Sequence, residues 1–382
     1  MRRLLVLLSG CFLLTAGLSW ASTIYVKPDG TGDAPTIGAA MDSAAVGDTL
    51  VLASGTFTGE GNRDLTVPDK NLRIISETGN PNDCVIDCEG AGCFRFEDCT
   101  AVVEGLTITN TLSSGLYLDS QQTGFITLAV KNCNFTSCDC EGWGGAIHMY
   151  CDGEVSISGC RFLSNIAYQG GAVYRAALGY LRVWIDGCTF CGNSAAGSGG
   201  AIYIGGDEGG ISIRNSVFCH NSATSDGGAV ATGEVLARMT GCTFFANSAP
   251  VGSAIAVGLY ADIDRCILAH GTGGSAMYWW EPTWFDPNYL TCTDIYGNEG
   301  GDWVGVIADQ LGQNGNFSAC PSFCSYEIEP YDLHLCSASP CLPGNHPDGV
   351  SCGLIGALGQ GCGCGPSGIE PTTWGAIKAM HK

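Results

Sequence analysis

Between residues 128 and 268, apolar and polar side chains alternate with a period of two, in short runs that recur every 24 to 28 residues. The runs register on a Cys-x-Phe signal: Cys133-Asn134-Phe135, Cys160-Arg161-Phe162, Cys188-Thr189-Phe190, Ser216-Val217-Phe218, Cys242-Thr243-Phe244 and a weaker Cys266-Ile267-Leu268. Five residues before the first position of each stand Leu128, Val155, Val183, Ile211, Ala237 and Ala261. Three before it stand Val130, Ile157, Ile185, Ile213, Met239 and Ile263. The intervening columns, Ala129, Ser156, Trp184, Ser212, Arg238, Asp262 and Lys131, Ser158, Asp186, Arg214, Thr240, Asp264, are mostly polar. A period of two is that of a strand with one buried face, and it excludes a helix. Because the phase is the same in every copy, the buried faces stack on one another.

Two further motifs keep the same register. Phe-x-x-Asn ends at Asn165, Asn193, Asn221 and Asn247, and Gly-Gly-Ala-[Ile/Val] begins at Gly144, Gly170, Gly199 and Gly227. Self-similarity at this period is the signature of a solenoid. The pattern therefore predicts an all-β chain, a single-stranded right-handed parallel β-helix whose coils pair about 4.8 Å apart. The asparagines form a ladder of stacked amides that satisfies one corner of each coil. The glycine pairs supply unusual backbone angles at the next corner, and small residues before the cysteine, such as Gly159, Gly187 and Gly241, allow a bend. The cysteine column reads as small buried hydrophobes, with bridges between adjacent coils, for example Cys191 to Cys219, in equivalent places.

The ends are less regular. Residues 35–45 read as a short amino-terminal helix with Ile37, Ala40, Met41 and Ala44 on one face, suited to capping the open end of an apolar core. Residues 331–357 read as closing coils. Residues 1–21 have two arginines, an apolar stretch and small residues at cleavage spacing, the organisation of a signal peptide. Leu8-Ser9-Gly10-Cys11 is lipobox-like, but apolar sequence continues beyond it. The expected organisation is thus a signal peptide at 1–21, a β-helix at 22–360 with regular repeats at about 128–268, and a Gly/Pro/Cys linker with a short tail at 361–382. No segment is apolar for long enough to span a bilayer as a helix.

Without residues 1–21 the chain has 14 Lys+Arg against 37 Asp+Glu, a formal charge of −23. Nucleic acid and anionic membranes need clustered positive charge, so neither is an expected partner. The same cleavage leaves 22 of the 23 cysteines. An even number after a signal peptide points to an oxidising compartment and a partial disulfide framework. Close spacings such as Cys84/Cys88/Cys93/Cys99 lack the Cys-x2-Cys knuckles and histidines of a structural zinc site, so no metal is assigned.

The repeated pair of Phe-x-x-Asn and Gly-Gly-Ala-[Ile/Val], over about residues 133–257, resembles the repeats of chlamydial polymorphic outer-membrane proteins. The wider chain, 24–358, resembles secreted bacterial right-handed β-helix proteins of the pectin-lyase-like superfamily. The stretch from Gly47 to Phe57, Gly-Asp-Thr-Leu-Val-Leu-Ala-Ser-Gly-Thr-Phe, resembles their first coil. The resemblance implies a secreted protein, extracellular or held at the cell surface or outer membrane. Outer-membrane relatives end in a translocating β-barrel, for which there is no room after Leu358. The superfamily includes lyases, hydrolases and esterases beside non-enzymatic adhesins, so fold alone does not fix an activity.

Three functions follow as expectations. The leading one is a non-catalytic scaffold, adhesive or ligand-presenting, whose partner is a polysaccharide or a host or cell-surface ligand. The second is a lyase-like, calcium-assisted polysaccharide enzyme using the outward residues Asp186, Arg214, Arg238, Asp262 and Asp264. There carboxylates would hold Ca2+ against uronate groups and an arginine would take the proton. The competing reading of Asp186 and Arg214, one coil apart, is a cross-strand ion pair. The third is a glycan-binding protein whose platform is Trp279, Trp280 and Trp284, although such clusters also serve to cover apolar surface. His148, His220 and His270 lie on separate coils without a triad-like context.

Overall fold

The computed structural model describes residues 21–67, 69–120, 124–280, 290–326 and 331–363. Residues 1–20 of the expected signal peptide, the tail beyond 363 and Trp284 lie outside them. The described chain forms a right-handed parallel β-solenoid of about 12 turns. Its coils stack an 18-stranded, a 10-stranded and a 5-stranded sheet along one axis. The two longest strands, Val173–Asp186 and Ile202–Arg214, run across a corner and join two strand stacks into the largest sheet.

The registers are those that the periodicity predicts. Leu128, Val155, Val183, Ile211, Ala237 and Ala261 are successive Cα partners, and each is at most 3% exposed. At the next corner Asn132, Gly159, Gly187, Asn215, Gly241 and Arg265 all have φ between 47° and 62°. That is the left-handed region, which glycine and asparagine enter most cheaply. Beyond it the rings of Phe135, Phe162, Phe190, Phe218 and Phe244 stack with centroids 4.5 to 5.0 Å apart and planes within 8°. The asparagine ladder is fully bonded: Asn193 donates its side-chain amide to Asn221 Oδ1 (2.9 Å) and to the Phe162 carbonyl (3.0 Å). In the Gly-Gly corners the second glycine abuts the next coil. A Cβ on Gly171 would collide with the Gly200 carbonyl oxygen.

The amino-terminal end is closed by a helix. The helix Ile37–Ser43 is shorter than its predicted span and is capped by the Thr36 hydroxyl, which accepts from the Ala39 N–H. Ile37, Ala40, Met41 and Ala44 are buried, as a plug requires. At the other end the structure departs from the expected closing coils. Phe323–Ser325 pairs antiparallel with Asp332–Cys336, and Gln360–Cys362 adds to the latter. This segment turns back over the outer side of the last coils, where Phe323, Leu333, Leu335 and Ile355 bury Val217, Phe245 and Ile267. Period-two sequence alone does not distinguish a coil from such a flap, because each has one buried face.

Disulfides join Cys191 to Cys219, in adjacent coils as expected, Cys292 to Cys352, and Cys324 to Cys362. Cys336 is also disulfide-bonded. The column Cys133, Cys160, Cys188, Cys242 and Cys266 consists of buried free thiols, acting as small hydrophobes. Cys292–Cys352 closes a 60-residue separation between coil and flap. A Cys292→Ser/Cys352→Ser variant is expected to weaken the flap by about 3 kcal/mol. Hydrogen exchange should then speed up in residues 331–363 while the coils at 128–268 keep their protection. Uniform deprotection of the solenoid would contradict this picture.

Candidate functional site

The outward positions of the strand that follows each Gly-Gly corner form a second kind of ladder. Arg95, Tyr117, His148, Tyr174 and Tyr203 are successive register partners on five coils. The column continues through Ala231 and Ala256 to Tyr278. The Gly-Gly corner brings Trp143 over this face, stacked on Tyr174 (5.7 Å, 19°) and edge-on to His148 (5.9 Å). Tyr174 stacks in turn on Tyr203 (5.4 Å, 14°). The result is an axial groove with a cavity of about 430 Å³ at its amino-terminal end, lined by Asp64, Phe94, Arg95, Tyr117, Trp143 and His148. A smaller depression continues from it over Tyr150 and Tyr174.

Charge in the groove is local, with one arginine among an excess of acids. Arg95 donates Nε to Glu97 and Nη2 to Asp119 (2.7 Å), and its guanidinium sits 5.0 Å from the centre of the Tyr117 ring. The hydrogen bond to Glu97, with the charge of Asp119, raises the Arg95 pKa further. Burial pushes the His148 imidazole down to about 4, against the opposing pull of Asp119, so it is neutral at physiological pH. Burial likewise raises the phenols of Tyr117, Tyr174 and Tyr203, which stay protonated as hydrogen-bond donors and acceptors. The face therefore offers flat apolar rings, neutral polar edges and carboxylates.

The residues that the sequence marked out fall elsewhere. Asp186 and Arg214 are Cα partners, yet the expected ion pair between them is not formed. The Asp186 carboxylate instead accepts from Asn215 Nδ2 (3.0 Å). Arg238 pairs loosely with Asp262 (3.6 Å), and Asp264 pairs with Arg265 (2.9 Å) while accepting from Thr291. Asp186, Arg238, Asp262 and Asp264 thus make surface contacts along adjacent coils. Arg238 also edges a shallow depression of about 420 Å³ with Tyr180, Arg182, Trp184, Ser212 and Leu236. Trp279 is buried, its indole donating to the Leu259 carbonyl (3.1 Å). Trp280 is half-exposed and donates to Asp226 Oδ2 (3.2 Å). His220 and His270 stack beneath Tyr331 and Tyr326 of the flap. Among the described residues no three His, Cys, Asp or Glu side chains converge as metal donors.

A family model described as the right-handed β-helix region matches residues 74–190, and one for the chlamydial polymorphic membrane protein repeat matches 187–205. The chain has the right-handed β-helix fold. No curated protein matches it significantly. Among solved structures, this β-helix protein is similar to the PL6-family alginate lyase AlyGC (TM-score 0.45, 15% identity, 73% of this chain and 39% of the lyase). It is also similar to a mannuronic-acid-specific family 6 lyase from human gut microbiota (0.43, 14%, 72% and 74%) and to carrot pectin methylesterase (0.40, 12%, 78% and 88%). It spans only 39% of the alginate lyase's length, and the likeness is one of fold.

The sequence reading missed the groove residues because the Cys-x-Phe register draws attention to the strand before each cysteine, not to the strand after each glycine pair. A signal was present: the residue following Gly-Gly-Ala-[Ile/Val] is His148, Tyr174, Tyr203 and then Ala231. Large rings at outward positions of a solenoid have no core to fill.

Proposed function

We propose that this β-helix protein is a secreted or surface-displayed scaffold without catalytic activity, and that its axial groove binds a glycan. The observation that carries the reading is the ladder of Tyr117, His148, Tyr174 and Tyr203, repeated at the coil spacing, with the exposed Trp143 packed on the buried Tyr174 and the other three rings partly exposed. Aromatic faces pack against the apolar faces of sugar rings, and their polar edges bond hydroxyls. A regular array of rings along one axis suits a regular polymer. The polymorphic membrane protein repeat and the disulfides fit display outside the cell. No helix among the described residues is long and apolar enough to cross a membrane.

The test is a glycan array followed by calorimetry on the best ligand. Tyr174→Ala is expected to weaken binding about tenfold, roughly 1.4 kcal/mol, and Trp184→Ala to leave it unchanged. Equal losses in the two variants would remove the groove from the reading. A polysaccharide-active enzyme is the rival, since Tyr117 and neutral His148 lie together in the groove with ring centroids 4.9 Å apart. Ultraviolet-absorbing unsaturated product, formed by the wild type and lost in His148→Ala, would replace the scaffold by a lyase.

A further inference from the structure

We propose that the axial groove selects an uncharged linear glycan and excludes polyuronates. This deepens the glycan-binding reading and rests on it. The groove's cation is already engaged: Arg95 bonds Glu97 and Asp119 at once, so its one positive charge faces two negative ones. A sugar carboxylate could reach that guanidinium only by displacing one of them, leaving a half-buried carboxylate uncompensated. Asp64 adds a third acid at the same end, held by the Gly92 N–H (2.9 Å).

The far end carries the same sign. Asp226 gives one oxygen to the Trp280 indole, and its other oxygen, Oδ1, is buried without a hydrogen-bond partner among the described residues. The negative charge of this side chain at the far end repels a sugar carboxylate. Between Tyr203 and Tyr278 the column holds Ala231 and Ala256, both buried, so the aromatic track proper runs from Tyr117 to Tyr203. That is three coil steps, about 14 Å at about 4.8 Å each. It is long enough for two or three sugar rings in file. The chain as a whole, at a formal −21, adds long-range repulsion of any polyanion.

The experiment titrates the full-length protein with two matched hexamers, the uncharged cellohexaose or chitohexaose and an oligo-galacturonate or oligo-mannuronate. We expect a neutral hexamer to bind, the uronates to bind at least tenfold more weakly at low salt, and the gap to narrow as salt screens the repulsion. In Glu97→Gln/Asp119→Asn, which frees Arg95, the ratio of uronate to neutral binding should rise several-fold, with an unchanged melting curve reporting a folded groove. Uronate binding equal to or tighter than neutral binding overturns the inference but leaves the glycan reading standing. So does uronate binding lost in Arg238→Ala, which would place it in the depression beside Trp184. Failure of both hexamer classes to bind overturns the inference and the glycan reading together.

Discussion

Asn193→Ala is expected to destabilise the solenoid by about 4 to 5 kcal/mol, more than any other substitution proposed for this protein. Asn193 is fully buried. Its Oδ1 accepts from the backbone N–H (3.0 Å) and the side-chain amide (2.9 Å) of Asn165, one coil below. Its own amide donates to the Phe162 carbonyl and to Asn221 Oδ1. Alanine would orphan the Asn165 N–H, leave half of the Asn165 amide unbonded and take one of the two donors from the Phe162 carbonyl, which keeps its ladder bond to Cys191. Each buried orphan costs about 1–3 kcal/mol, and no water reaches a site this closed. Because each coil contacts only its neighbours, the damage should be local. Hydrogen exchange should show residues 160–195 opening first, with urea unfolding turning broader or biphasic. An unchanged urea midpoint would mean that the amide ladder contributes nothing.

Asp294→Asn should have an effect of similar size and opposite sign, and only above mid-range pH. Asp294 is fully buried between the last coil and the flap, accepting from the Ala319 N–H (3.0 Å) and the Cys341 thiol (3.3 Å). Burial raises its pKa from 3.8 to about 7, outweighing both hydrogen bonds. The folded state therefore keeps the proton up to about pH 7, whereas the unfolded chain releases it near 3.8. As pH rises between those values the unfolded state is increasingly favoured, by up to about 4 kcal/mol in all, since a difference of one in pKa is worth about 1.36 kcal/mol. His148 works the other way, because its folded pKa is depressed from 6.5 to about 4 and its contribution is lost as pH falls below 6.5. The wild-type profile mixes the two, so the difference between variant and wild type is the useful quantity. Thermal unfolding at about pH 4, 6 and 8 should show no gain for Asp294→Asn at the lowest value and a gain of about 2–4 kcal/mol at the highest. Parallel curves at all three values would refute a neutral buried carboxyl at this position.

The architecture was legible because a solenoid writes its contacts into the sequence as a period. Val183 meets Val155 and Ile211 since each lies one coil away, so a column in the alignment is a column in space. The phenylalanine stack, the asparagine ladder and the Cys191–Cys219 bridge follow from the same rule. Contacts within a column need only the repeat length and the parity of the strand, and the sequence holds both.

Contacts between columns need the shape of the corner, and that shape is set by backbone angles that the residue pattern does not number. Trp143 reaches Tyr174 only because the glycine pair folds the chain over the next strand face. Asp186 prefers Asn215, on the adjacent corner, to its register partner Arg214 for a similar reason: the left-handed turn at Asn215 aims its amide back at the strand below. The fold-back of residues 318–326 and 331–363, the buried Asp294 beneath it and the division of the tryptophans into Trp279 inside and Trp280 outside belong to the same class. Repetition along the axis was thus fixed by sequence alone. The groove, its charge and its cover came from tertiary structure, because they join residues that share no period.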